Sequence, residues 1–247
     1  MRAVQQTWLR EVKSFRGAFY SGVPVAAFLA VTGWSFVMLL RRDEGSISQL
    51  QTIWGCAVAA WLPTLCSLLT MRLFTADRAS GMIELMMASP VRERDLVIGK
   101  FLSALTLVVL ALLFSLFFPI VILPKITHLL VDSVQPAAFG VTFGIVLLQA
   151  CAWCAAGTMI SVMFSNQAAA AVTSLILCSG MPIAVYFGIL AWIPAVRTEL
   201  SWLPLLEHVV DFSTGLFSSG VLLFYGVLTV FFLFASSKML ALLRLKG

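Results

Sequence analysis

Residues able to do chemistry are few in this sequence of 247 residues, and their placement narrows what they can do. Cys151 and Cys154 form a Cys-x-x-Cys, a spacing used by redox and soft-metal sites. No second pair accompanies them and Ala and Gly surround them, so plain packing accounts for them. Met159 and Met163 follow one turn apart, where copper passage is conceivable but packing again suffices. Glu207, His208 and Asp211 lie close together. A metal site is conceivable there, but two carboxylates and a histidine on a short helix are more often a solvated face. Ser179-Gly180 lacks a facing histidine, because His128 and His208 both fall in loops between apolar runs. Intramembrane serine chemistry fails on position. No Gly-rich loop ending in Lys-Ser or Lys-Thr is present, so the chain is not expected to hydrolyse ATP or to hold a cofactor or metal.

The densest charge lies in MRLFTADRASGMIELMMASPVRERDLVIGK, residues 71–100. Ser80 or Gly81 can start a short helix, Glu84 falls in its first turn where the helix dipole favours an anion, and Pro90 ends it. Ile83, Leu85, Met86 and Met87 then lie on a helix of about two turns, too short to cross a bilayer. An apolar surface framed by charge is a docking surface or packs under its own bundle.

The elements that carry these residues follow from composition. Hydrophobic residues make up 61% of the chain and charged residues 11%, against about 25% charged in soluble domains. So little charge cannot coat a soluble core, which excludes soluble enzymes, disordered scaffolds and nucleic-acid-binding domains despite a net charge of +5. A helix needs about 20 apolar residues to cross a membrane. Six stretches qualify: Val23–Leu40, Ile53–Leu73, Phe101–Leu123, Ala138–Met163, Ala168–Ile193 and Val221–Leu240. Apart from Arg72 at the end of the second and Lys238 near the end of the sixth, they hold no Asp, Glu, Lys, Arg or His. The expected fold is therefore an all-α polytopic membrane protein with six transmembrane helices in a single domain, 1–247. The five cysteines all sit inside apolar runs, which is no disulfide framework.

Basic residues set the orientation. With the N-terminus inside, only Arg41, Arg42, Lys125 and Arg197 of the sixteen Lys and Arg fall outside. That asymmetry follows the positive-inside rule and puts both termini in the cytoplasm. Uncharged spans also argue against intrinsic ion coupling, since a coupling ion needs a partner near the midplane.

Three segments are more than simple spans or loops. In 1–19, Val4, Trp8, Leu9, Val12, Phe15 and Phe19 share one helical face, with Arg2, Gln6, Arg10, Lys13 and Arg16 around the rest. This describes an amphipathic elbow helix on membrane lipid, either a mere anchor or a brace for a cytoplasmic partner. Residues 75–99 form the cytoplasmic loop. Residues 197–220 are too polar to span and too apolar for a free loop, which suggests short outer-leaflet helices forming a gate-like segment. Gly140 and Gly144, with Ala152, Ala156, Gly157 and Ser161, make a small face for close helix approach. Pro63, Pro119 and Pro182 interrupt three spans and are candidate gating kinks or ordinary bends.

At residues 71–100 the sequence resembles the permease subunits of type-2 ABC transporters, closest to the gliding-motility GldF-like branch. The residues that carry the likeness are Met71-Arg72-Leu73-Phe74, Asp77-Arg78, Gly81-Met82, Glu84-Leu85, Pro90 and Gly99-Lys100. Asp77 stands where Glu is usual and Met82 where Thr is usual. Gly157 to Gln167 and Glu207 to Gly215 extend the likeness over nearly the whole chain.

The resemblance implies a coupling helix near Gly81 to Ser89, with Asp77, Arg78, Gly81, Ile83, Glu84, Leu85, Met86 and Pro90 meeting a separate ATP-binding subunit. That partner would hold ATP and Mg. It further implies an elbow helix bearing Trp8, Arg10 and Phe15, a second permease unit (self or paralogue), and an extracytoplasmic auxiliary subunit. Glu207 and His208 join the prolines as gating candidates. The expected function is the permease of an ATP-driven exporter in the bacterial inner membrane. The rivals are a non-transporting assembly or signalling subunit of an ABC-type ATPase complex, an intramembrane enzyme, and a haem-exporter permease.

Overall fold

The computed structural model describes residues 2–17, 19–42, 50–82, 92–122, 136–180, 205–216 and 218–246. Nine α-helices make up the described residues, with no strand among them: α1 (Arg2–Gly17), α2 (Phe19–Arg42), α3 (Leu50–Thr70), α4 (Arg72–Ala79), α5 (Glu93–Ser115), α6 (Pro136–Met163), α7 (Gln167–Ser174), α8 (Leu205–Ser213) and α9 (Ser219–Lys246). Two π-helical turns follow α5 and α7, at Phe118–Ile122 and Leu175–Gly180.

Five helical runs are long and apolar enough to cross a membrane: Gly22–Arg41, Leu50–Ala79, Glu93–Ile120, Ala137–Met163 and Ser219–Arg244. They coincide with five of the six expected spans. The remaining one is described only as the shorter apolar helix Gln167–Gly180, its continuation lying outside the described residues. The chain is a polytopic helical membrane protein.

Burial separates central helices from peripheral ones. In α3 and α6, 72% of the apolar window is buried, against 17% in α2 and 11% in α9. The core forms where α3 faces α6 and α5, around Trp54, Leu62, Leu65, Leu112, Ile145 and Ala150. Trp54 satisfies its indole N–H on the Ser115 carbonyl at 3.2 Å, so a polar donor is buried without penalty. Leu223, Val227, Val230 and Phe234 on α9 point outward, as a lipid-facing helix requires.

Small residues act at other places than the most regular pattern suggests. A Cβ on Gly140 or Gly144 would meet nothing within 4 Å. Close approach is instead made at Gly157, where a Cβ would lie 2.9 Å from Thr70 Cβ, and at Gly55, 2.6 Å from Thr142 Cγ2 and Val209 Cγ1. Many hydroxyls within spans bond back to their own helix, as Thr32 does to the Phe28 carbonyl at 2.7 Å and Thr70 to the Cys66 carbonyl at 2.7 Å. Such bonds let polar side chains sit in an apolar bundle without partners across it.

Candidate functional site

The element that leads into the sequence-predicted coupling segment is α4. It continues α3 with almost no break: the Met71 N–H still bonds the Ser67 carbonyl at 3.0 Å, and Thr75 Oγ1 donates to the Met71 carbonyl at 2.6 Å. It stops at Ala79, where the Ser80 and Gly81 N–H groups bond the Ala76 and Arg78 carbonyls at 3.1 Å. Gly81 has φ of +69°, the left-handed region in which a side chain is strained, and so turns the chain out of the helix.

Two straps hold α4. The first comes from the end of α6. Ser161 Oγ accepts from the Phe74 N–H at 3.1 Å and faces the Met71 carbonyl at 3.2 Å. One turn on, Arg78 Nη2 donates to the Val162 carbonyl at 2.5 Å. Because Val162 is at the C-terminal end of α6, the guanidinium meets a carbonyl that the helix itself leaves unpaired.

The second strap is ionic and joins α4 to α5 and α1. Lys100 is 1% exposed. Its ammonium donates to Glu11 Oε1 at 3.0 Å and to the Leu73 carbonyl, and stands 2.5 Å from Asp77 Oδ2. It also lies 5.0 Å from the centroid of the Phe74 ring. Asp77 Oδ2 makes no aligned hydrogen bond, so its contact with Lys100 is one of charge. Arg10 adds a second cation, 3.5 Å from Glu11 and 3.9 Å from Asp77. Two carboxylates thus face two cations, which is what a buried ammonium needs to remain charged.

The approach of α1 depends on Gly99. A Cβ there would meet Thr7 Cβ at 2.8 Å and the Val4 carbonyl at 3.1 Å, so a larger residue would lift α1 off α5. A further ion pair, Arg244 to Glu93 at 2.6 Å, ties the end of α9 to the start of α5.

The structure therefore brings together Asp77, Arg78 and Arg10 of the sequence-predicted residues, with Gly81 at the exit of α4. Ile83, Glu84, Leu85, Met86 and Pro90 lie outside the described residues. Trp8 is half-buried, while the side chain of Phe15 lies outside the description. On α1 the Val4 and Thr7 edge lies on α5, while Leu9 is exposed, free to face lipid as the apolar side of an elbow helix does. Much of the segment taken as a loop, 75–99, is helical at both ends: α4 reaches Ala79 and α5 begins at Glu93.

Sequence reasoning passed over Glu11 and Ser161 as partners and read Lys100 only as a flank. Glu11 did carry a signal, as an acid on an otherwise basic amphipathic helix. Ser161 carried none, since its partner lies 87 residues away. Of the prolines, Pro63 is buried within α3, its carbonyl accepting from Ser67 Oγ at 2.8 Å. Pro119 lies in the first π-helical turn, and Pro182 is outside the described residues.

At the opposite end of the bundle, α8 wedges between α3 and α6. Val209 and Phe212 are buried there, and Ser213 Oγ meets Thr52 Oγ1 at 2.5 Å. His208 Nδ1 lies 3.1 Å from Tyr225 Oη, which accepts from Gln149 Nε2 at 3.1 Å. Burial lowers the His208 pKa below the usual 6.5, against the opposing pull of Asp211 and Glu207. Glu207 and Asp211 are exposed and turn away from the histidine's buried partner. Among the described residues no His, Cys, Asp and Glu are grouped to hold a metal ion. The Cys151–Cys154 pair lies along α6 beside Cys66 of α3, in the packed core.

No curated protein matches this sequence. The family model described as ABC-2 family transporter protein matches residues 10–209, which takes in Arg10 and the Lys100–Asp77 contact at one end and the first part of α8, through Val209, at the other. With that match over most of its length and with its membrane-spanning helices, the chain belongs to the ABC-2 transporter family, as a multi-pass membrane permease component of an ABC transporter.

Proposed function

We propose that this permease is the membrane half of an ATP-driven exporter, driven through α4 by a separate subunit that binds ATP and Mg. The observation that supports this reading is the double anchoring of α4. A free loop would absorb a push, whereas a helix fixed to α6 by Ser161 and Arg78 and to α5 and α1 by Lys100 passes it on. Gly81 to Ser89 form the docking segment at the exit of α4, with Glu84 as polar contact and Leu85 and Met86 as the apolar plug.

In this reading the charged end of the bundle faces the cytoplasm of a bacterium, both termini included, and α8 lies at the outer face of the inner membrane. Two such permeases, identical or paralogous, enclose the pathway. The likeness at residues 71–100 supports placing the permease in the gliding-motility GldF-like branch, and with that placement goes an extracytoplasmic auxiliary subunit. Pro63 is a bend within the buried α3, and the α8 wedge closes the outer end of the pathway.

The experiment is a double substitution, Glu84→Lys with Leu85→Asp, in the complex carrying its ATPase. Loss of co-purification and of permease-stimulated ATP turnover is the expected result. Unchanged values for both would overturn the docking assignment.

A further inference from the structure

Three polar groups meet beneath α8, and one arrangement of their hydrogens uses each as donor or acceptor in turn. Gln149 Nε2 carries only hydrogens, so it donates to Tyr225 Oη. Tyr225, 1% exposed, has one proton left to give, and His208 Nδ1 stands 3.1 Å away to accept it. This arrangement requires a neutral imidazole with its hydrogen on Nε2. A proton arriving on Nδ1 would replace the acceptor by a donor and place a cation at a half-buried position.

We propose that His208, Tyr225 and Gln149 form a proton-operated latch, which holds α8 against α6 and α9 when His208 is neutral and releases it in mild acid. The charged groups near His208 among the described residues are Glu207 and Asp211, on its own helix. The elements packed on it, α3 and α6, hold no Asp, Glu, Lys, Arg or His, and α9 presents Tyr225. Nothing on those helices can balance a histidinium from the buried side. The Ser213 to Thr52 contact pins the far end of α8, so release at His208 frees one end of the helix and leaves the other as pivot. Regulation by outside acidity rests on the reading of α8 as the outer closure; the latch itself does not.

The test uses the full-length permease in nanodiscs with a spin label on Val210→Cys, an exposed position on α8 between His208 and the Ser213 pivot. Spectra are taken from pH 8 to pH 5 after labelling at neutral pH, with the unsubstituted chain as background for the native thiols. The expected result is a reversible gain of a mobile component with a midpoint below about 6.5. His208→Asn, whose side-chain oxygen can still accept from Tyr225 but cannot titrate, should remain immobile at every pH. Tyr225→Phe should be mobile at every pH. A flat response of the parent protein overturns the proposal. So does an unchanged titration in His208→Asn, which would assign the effect to Glu207 or Asp211. If the label titrates while vesicle transport is absent, the exporter reading falls and the latch stands.

Discussion

Lys100 Nζ stands 2.5 Å from Asp77 Oδ2 with the lysine side chain 1% exposed, so a cation at the mouth of an apolar span is neutralised by an acid from a different helix. Glu11 completes the pairing from a third helix at 3.0 Å. Removing a partner from such a buried set costs more than the set contributes, because the remaining charge is stranded.

Lys100→Ala should therefore destabilise by about 3 kcal/mol, seen as a lower unfolding midpoint in detergent. Restoring much of that loss by adding Asp77→Ala and Glu11→Ala would identify stranded charge as the cause, as a double-mutant cycle requires. A loss that persists unchanged in the triple variant would locate the effect in packing against Phe74.

Gly99 and Gly140, on different helices, should behave in opposite ways. Gly99→Ala forces a Cβ to within 2.8 Å of Thr7 Cβ and 3.1 Å of the Val4 carbonyl. It should cost about 1–3 kcal/mol and detach α1. Gly140→Ala meets nothing within 4 Å and should leave the unfolding midpoint unchanged or slightly raised. Equal effects at the two sites would contradict the placement of α1 on α5.

Ser161→Ala removes the acceptor for the Phe74 N–H while leaving α6 intact. A loss of about 1 kcal/mol is expected, with a larger proportional fall in permease-stimulated ATP turnover than in the unfolding midpoint. Arg78→Gln should act in the same direction, since it loses the bond to the Val162 carbonyl. Stimulated turnover that tracks stability alone would reduce both residues to packing.

Stability should also depend on pH through His208. Its folded pKa is lowered by burial from the usual 6.5. The unfolded chain therefore binds a proton first as pH falls, and stability drops between 6.5 and the lower folded value. Above 6.5 the contribution is fully present. The unfolding midpoint measured from pH 8 to pH 5 should show this fall, and His208→Asn should remove that component of it.

The long helices were readable because 20 apolar residues in a row admit few structures, and α1 because Val4, Trp8 and Val12 repeat at helical spacing. The edge of α1 that packs on protein was less readable: the apolar stripe says which side leaves water, whereas the Gly99 groove selects the Thr7 edge to meet α5. Gly140 and Gly144 carry the more regular motif, yet Gly157 makes the contact, because a spacing of four says that a face is small and not what stands opposite it. Asp77 and Arg78 were found by likeness, but their partners, Lys100 and the Val162 carbonyl, are 23 and 84 residues distant and leave no local pattern. The latch at His208 was hidden for the same reason: Gln149 and Tyr225 each look like an isolated polar residue in an apolar run.

The near-continuity of α3 and α4 has a mechanical consequence. Leu50–Ala79 is a helical run of 30 residues, about 45 Å from end to end. Thr52 and Gly55 at one tip touch α8, and Asp77 and Arg78 at the other sit in the two straps. A shaft of that length converts a tilt of about 10° into a displacement of about 8 Å at its tip. Under the proposed coupling, stroke scales with shaft length, and Pro63, buried partway along, is the place where part of it is lost to bending.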